Sequence, residues 1–476
     1  MAFLRRMWGM ALVAVTVLLA PARAEPSGDA AQIHEFEVII AGGSTAAFAA
    51  AIAAAESGAR TALIEPTDWV GGQLTSSGVP AIDEAWHTIR DDAGEPVLNV
   101  ARVARDPRNI TPTLLTALQA INDPGDCWVS RFCFCPDRFL VDQLTPLQER
   151  VGDRLTVFLD TVVKRVERDP ATGRLASLTA IARSPRPGLA ARGYDRLPSV
   201  DLPDWYSMEP SERFDKRVLE FRGPADHGAV FIDATEWGEV LALADVPYLQ
   251  GVETSDGGAD GDDSCGQATV YCFVQQMHAA PTDDPAPPAE VEGMGYGPYG
   301  DREDAWSQIW TYRRIRGRGA PAPGDLCLQN WGYSSRHGDG GNDYPFGDMF
   351  LSKAEAAETR DDWQGGVDRA VLAAAELRAL AWHHWFKQQA PDGIDPRQIT
   401  LNSAVLGSAH GLAKLPYVRD TRRAIGLDGF ILRLADLAGH EGAHTGRHFE
   451  DRIALGAYPA DIHPLDGCDL PAYLHG

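Results

Sequence analysis

Glu37-Val38-Ile39-Ile40-Ala41-Gly42-Gly43-Ser44-Thr45-Ala46-Ala47, followed by an alanine-rich run to Ser57-Gly58 and by Arg60-Thr61-Ala62-Leu63-Ile64-Glu65, decides the fold. The stretch 37–41, apolar from Val38 on, reads as a strand buried on both faces, as in the middle of a parallel sheet. Thr45 to Ser57 reads as a helix stopped at Gly58, and Arg60 to Ile64 as a second buried strand. The result is β-α-β in about 30 residues. The turn Gly42-Gly43-Ser44-Thr45-Ala46-Ala47 stands where strand gives way to helix. There the free N–H groups and the helix dipole favour an anion, and small residues let a phosphate approach the backbone. The dinucleotide fingerprint G-x-G-x-x-G becomes G-x-S-x-x-A here, with Gly42, Ser44 and Ala47. Glu65 closes the second strand 23 residues beyond Gly42. An acid at that place accepts hydrogen bonds from an adenosine ribose and disfavours a 2′-phosphate.

Outward from this unit, Pro136 to Val151 reads as a helix. Leu155 to Val166 and Leu175 to Ile181 read as strands, and Ala229 to Asp233 returns to the buried-strand pattern. Residues 25–34 read as a polar, disordered lead and 184–226 as an irregular insertion. Val367 to Gln389 reads as a core helix, with Leu380, Trp382, Trp385 and Phe386 on its apolar side. The expected class is therefore α/β: a Rossmann-type dinucleotide domain (35–183 and 227–250) with an interleaved β-rich substrate domain. A loop-rich substrate region, 251–366, and a helical and C-terminal region, 367–476, follow.

The 476 residues are 44% hydrophobic and 23% charged, ordinary globular composition. Residues 1–24 read as a signal peptide: Arg5 and Arg6, a short apolar run from Gly9 to Ala20, and Ala22-Arg23-Ala24 as cleavage site. Export to the periplasm or beyond is expected, without stable membrane insertion after cleavage. Loss of Arg5, Arg6 and Arg23 and of no acid takes the net charge from −24 to −27. That surface repels nucleic acid and anionic lipid, so small molecules are the expected partners. The seven cysteines make disulfides plausible without fixing their pairing, and an odd count leaves at least one thiol. Cys133-Phe134-Cys135 reads as structural. The acidic run Ser255 to Asp263 lacks the full calcium-loop order and reads as a solvated loop.

Together with Trp69-Val70-Gly71-Gly72-Gln73-Leu74-Thr75, the β-α-β unit resembles the FAD-dependent oxidoreductase family with a glutathione-reductase-like FAD fold, and within it a subgroup of large, often exported flavoproteins. Ile232-Asp233-Ala234-Thr235-Glu236-Trp237-Gly238 resembles the family's second turn, usually Asp-Ala-Thr-Gly, with Glu236 in the glycine's place. Gln329-Asn330-Trp331 and Gly341-Asn342-Asp343-Tyr344 are similar to its mid-chain motif. Leu415 to Arg423 and Ala457 to Pro464 are similar to its later ones. The resemblance covers roughly residues 36–464. It implies an FAD held by Gly42, Gly43, Ser44, Thr45, Ala46, Ala47, Glu65, Gly71, Gly72, Gln73, Asp233, Ala234 and Thr235, and flavin-linked redox chemistry on a small organic substrate. It does not indicate the electron acceptor. It also implies a closing strand and helix after the Asp-Ile-His-Pro segment, where this chain ends at Gly476. His463, Asp461 and Tyr458 are the candidates for proton transfer, since an imidazole titrates near neutrality. Arg419, Arg422 and Arg423 are candidate anion or flavin-edge contacts.

Two other classes stay open. His440-Glu441-Gly442-Ala443-His444 spells H-E-x-x-H, with His448 four residues on. On a helix this would make a zinc hydrolase with Glu441 as base, although Gly439, Gly442 and Gly446 oppose a helix. No metal is expected in the flavoprotein reading. The third class is a non-catalytic protein that keeps the nucleotide fold for binding.

Overall fold

The computed structural model describes residues 31–84, 88–90, 93, 95–99, 106–251, 265–291, 296, 305–332, 341–420, 422–433, 436, 447, 449–450 and 462–468. The signal segment 1–24, the acidic run 255–263, His440, Glu441, His444, His448, Tyr458 and Asp461 lie outside them.

The strands used below are β1 Gln32–Glu35, β2 Val38–Ala41, β3 Thr61–Ile64, β4 Leu155–Phe158, β5 Thr161–Arg168, β6 Leu175–Pro185, β7 Phe214–Arg222 and β8 Val230–Asp233. Strands β8, β2, β3 and β4 form, in that order, an all-parallel sheet, in register at Val230–Val38, Val38–Thr61 and Thr61–Leu155. Helix α1, Thr45–Glu56, makes the β2-to-β3 crossover. Its Ala47, Ala51 and Ala55 are buried with Phe48 and Ile52. Alanine on the packing face brings helix and sheet close, and the apolar runs of β2 and β3 are buried because both sheet faces are covered. The helix stops where Ser57 Oγ donates to Ala53 O and Gly58 turns left-handed at φ +99°.

A second sheet, β1-β7-β6-β5, packs beside the first. It corrects two readings of the sequence. The lead 25–34 reaches into β1, which runs parallel to β7. The stretch 184–226 holds a helix, α2 Pro198–Trp205, and the nine-residue strand β7. β7 buries Phe214, Leu219 and Phe221 among charged neighbours. The segment read as one helix over 136–151 is broken by a π-turn at Leu140–Leu144. Pro146 lacks the N–H that a continuous α-helix would use there, and Thr145 Oγ1 donates to Leu140 O at 3.0 Å instead.

The third layer is antiparallel: Arg314–Arg316, Leu326–Gln329, β9 Phe273–Met277 and Ile399–Leu401. It is covered by α3, Arg369–Gln388, which buries Leu372, Ala375, Ala379, Trp382 and Phe386. Cys127 bonds Cys133 and Cys265 bonds Cys468, while Cys135, Cys272 and Cys327 are free thiols. Cys272, seven residues after Cys265, is sealed in the core, and burial pushes its thiol up to about 12. Among the described residues no helix is long and apolar enough to cross a membrane.

Candidate functional site

Three turns from distant parts of the chain interlock at the start of α1. Gly42 sits at φ +94°, and a Cβ there would stand 2.2 Å from Ala234 O, so only glycine fits. Its N–H donates to Ile64 O at 2.8 Å. Ser44 caps α1: its Oγ accepts from Ala47 N at 3.1 Å and donates to Ala234 O at 3.0 Å. Thr45 Oγ1 donates to Gly71 O at 2.7 Å, and Gly71 N donates to Gly43 O at 2.7 Å. A Cβ on Gly72 would stand 2.2 Å from Glu236 Oε1 and 2.8 Å from Ser44 Cα. The structure therefore gathers Gly42–Ala47, Gly71, Gly72 and Ala234 into one cradle at the carboxyl ends of parallel strands. Gln73 continues the turn, its carbonyl accepting from Val79 N at 2.8 Å.

Glu65 lies at the cradle's edge. Its Oε1 accepts from Thr67 N at 2.7 Å and Thr67 Oγ1 at 2.6 Å. Its Oε2 lies over Gly43, where a Cβ would stand 1.9 Å away. Burial pushes this carboxyl up to about 8, against the two Thr67 bonds and with help from the charge of Glu236. Asp233 and Thr235 are turned to another task. Asp233 Oδ1 accepts from Thr235 N and Oγ1, and its Oδ2 accepts from Leu241 N at 2.8 Å. Thr235 Oγ1 accepts from Glu239 N at 2.8 Å. Both side chains brace the short helix Glu239–Leu243 rather than face the cradle.

The segments 267–271, 329–332, 341–344, 415–419 and 462–465 meet at a second place. Asp343 is fully buried. Its Oδ1 pairs with Arg419 Nη1 at 2.9 Å, and its Oδ2 bonds His463 Nδ1 at 2.5 Å. Burial opposes the charge, but Arg419 and His463 overcome it and hold the carboxyl below its usual value. Asn342 fixes the neighbourhood, its Nδ2 donating to Tyr271 O and Gln329 O and its Oδ1 accepting from Trp331 N. Arg419 also donates to Ala268 O at 3.0 Å. The backbone of His463 is held by Gln267 Oε1 and Ala268 N, just where Cys265–Cys468 ties the two segments together. The loop leaving the cradle reaches the same layer: Gly78 packs on Cys272 and Ala413, and Val270 and Tyr417 exchange backbone bonds one strand position away.

Of the sequence candidates, His463 and Arg419 thus share Asp343. Arg422 does not join them. It is buried and donates to Trp237 O and Gly366 O, holding the fold. Arg423 donates to Gly251 O. Asp343 was missed as a site residue. Its only sequence signal was its place in Gly341-Asn342-Asp343-Tyr344, because a carboxylate's partners 76 and 120 positions away leave no local pattern.

Asp284, His383 and His384 bring ligand-type atoms within 4.8 Å of one another. The atoms of His383 and Asp284 are already committed. His383 bonds Gln275 through Nδ1 and Asp284 through Nε2, and Lys387 pairs with Asp284. A cation there would displace these bonds and meet the Lys387 ammonium.

The chain is similar to p-nitrophenol 4-monooxygenase from Pseudomonas putida DLL-E4, at 9% identity over 52% of this chain and 48% of that one, with a TM-score of 0.24. It is similar to a geranylgeranyl bacteriochlorophyll reductase-like protein from Thermoplasma acidophilum, at 12% over 52% and 48%, with a TM-score of 0.24. It is similar to Mycobacterium smegmatis Sdh1, at 15% over 56% and 45%, with a TM-score of 0.26. The matched part spans about half the length of those chains or less. No curated protein matches the sequence. The profile of the family described as FAD dependent oxidoreductase matches residues 37–192 and 223–473, so the chain belongs to the FAD-dependent oxidoreductase family.

Proposed function

We propose that this chain is an exported oxidoreductase that binds FAD in the cradle at Gly42 and acts on a small organic substrate. The observation that carries the reading is the cradle itself. Gly42 and Gly72 let the three turns close on one another where a side chain would strike Ala234 O, Glu236 Oε1 or Ser44 Cα. The N–H groups of Gly43, Ser44, Thr45 and Ala46 have no protein acceptor among the described residues. A dinucleotide diphosphate matches that donor set. Gly42–Ala47, Gly71, Gly72 and Gln73 would hold the diphosphate side, and Glu65 Oε2, beside Gly43, would accept from the adenosine ribose. Asp233, Ala234 and Thr235 would shape the wall.

Bound FAD supplies hydride and electron transfer. The protein's own part is orientation and proton traffic. Asp343, kept ionised by Arg419, fixes the ring of His463 through Nδ1, and His463 would take or return the substrate proton. Asp343 and Arg419 are positioning residues in this scheme; Tyr458 and Asp461 stay candidates beside His463. The signal-like residues 1–24 support export, and the disulfides Cys127–Cys133 and Cys265–Cys468 suit an oxidising compartment.

The test is a spectrum of the purified full chain. Flavin absorbance, with FAD released on denaturation, is the expected result. Colourless protein that takes up no added FAD overturns the proposal.

A further inference from the structure

Glu236 stands where the three turns meet. Its Oε1 is sealed from solvent and has no hydrogen-bond partner among the described residues. It lies against Gly72, itself packed on Ser44 at the head of α1. The head of a twelve-residue helix attracts an anion, yet the side chain aimed at it is a carboxyl with nothing to neutralise it. No Arg, Lys or His bonds Glu236 among the described residues, and burial alone pushes it up to about 7. Facing it from β3 is Glu65, also raised, with Asp160 behind. Asp233, on its own strand, is turned into the Glu239–Leu243 helix, and Arg422 beyond it is spent on Trp237 O and Gly366 O. An ionised Glu236 would repel a diphosphate across the cradle. A neutral one offers an O–H, the donor that a phosphate oxygen needs.

We propose that Glu236 positions the FAD diphosphate as a neutral carboxylic acid, donating its O–H to a phosphate oxygen, so that FAD binding above neutral pH takes up one proton. This rests on the FAD reading above. The linkage has one sign. Only the protonated form binds well, so affinity is full while Glu236 carries its proton and falls once it ionises in the free protein.

The experiment is FAD titration of the flavin-free full chain, followed by flavin fluorescence, from about pH 5.5 to about pH 8.5. Calorimetry in two buffers of different ionisation heat counts the protons. The dissociation constant should be level below about pH 7 and rise toward about tenfold per pH unit above it, with an uptake approaching one proton. Glu236→Gln should bind with a level constant across the range, roughly tenfold or more tighter than wild type at the alkaline end, with no proton uptake. FAD binding that is independent of pH in the wild type overturns the inference and leaves the FAD reading standing. So does a slope that survives Glu236→Gln. Absence of FAD binding at every pH overturns both.

Discussion

Glu65, at the end of β3, and Asp343, under His463, are equally removed from water, at 2% and 0% exposed. Burial raises both. Glu65 ends at about 8, because burial outweighs its two Thr67 bonds and the neighbouring acid Glu236 adds to the rise. Asp343 ends below its usual value, because Arg419 and His463 press on both its oxygens. The difference lies in company, not depth. Among the described residues the cradle contains helix dipole and backbone N–H but no cation, as suits a place where an anion is to be bound. The Asp343 site contains its own cation, as suits a carboxylate that must stay charged to hold an imidazole.

That contrast is broken most severely at Asp343. Asp343→Ala takes the carboxylate counter-charge from the largely buried Arg419 guanidinium, leaving it neutral acceptors such as Ala268 O, and should cost about 3–5 kcal/mol in chemical unfolding. Asp343→Asn, which keeps the shape and loses the charge, should recover part of this while leaving His463 without its ionic anchor. A loss below about 1 kcal/mol for Asp343→Ala would mean that Arg419 finds water or another acceptor, and that the pair is a surface contact in energetic terms.

The two regions also differ in how the chain closes them. The cradle is closed by hydrogen bonds and close packing among three turns, with no covalent tie among the described residues. The His463 segment is pinned by Cys265–Cys468 across 203 positions. Cys468→Ser should therefore lower stability by about 2–4 kcal/mol, and Gly42-side flavin binding should suffer less than turnover. Equal loss of both would show that the disulfide holds the whole molecule rather than the His463 segment.

The same difference explains what could be read from sequence. β2-α1-β3 was legible because each element carries its own signal: an apolar run, an alanine-rich helix with a glycine stop, and an acid after the second run. β7 was not. Phe214-Asp215-Lys216-Arg217-Val218-Leu219-Glu220-Phe221-Arg222 buries three apolar residues among charges, so composition suggested a polar insertion where period two was the better guide. β1 was missed for a related reason: three of its four residues are exposed, and only pairing with β7 makes it a strand. At the site, Gly42 and Glu65 announced themselves by spacing. The bond of Asp233 to Leu241 N had no such signal, because an acid after a buried strand looks the same whether it faces a ligand or caps the helix that follows. Asp343 needed tertiary structure, since Arg419 and His463 approach it from separate segments.

The smallest predicted effect concerns the sign of a pH dependence. Glu65 has a folded value of about 8 against an ordinary 4.5. Between these pH values the folded chain holds a proton that the unfolded chain has released. Stability contributed by this group is therefore full at acid pH, declines as pH rises through that window, and levels off above it. Glu65→Gln removes the titration. At about pH 8 the variant should be more stable than wild type, and near pH 4.5 the two should coincide. If Glu65 also accepts from the ribose, the same substitution weakens FAD retention while it strengthens the fold. A brace with no ligand role would show the first effect without the second. Thermal unfolding at several pH values, paired with FAD titration, separates them: parallel pH profiles for the two proteins would mean that Glu65 is ionised in the fold, and the proposed contrast with Asp343 would be gone.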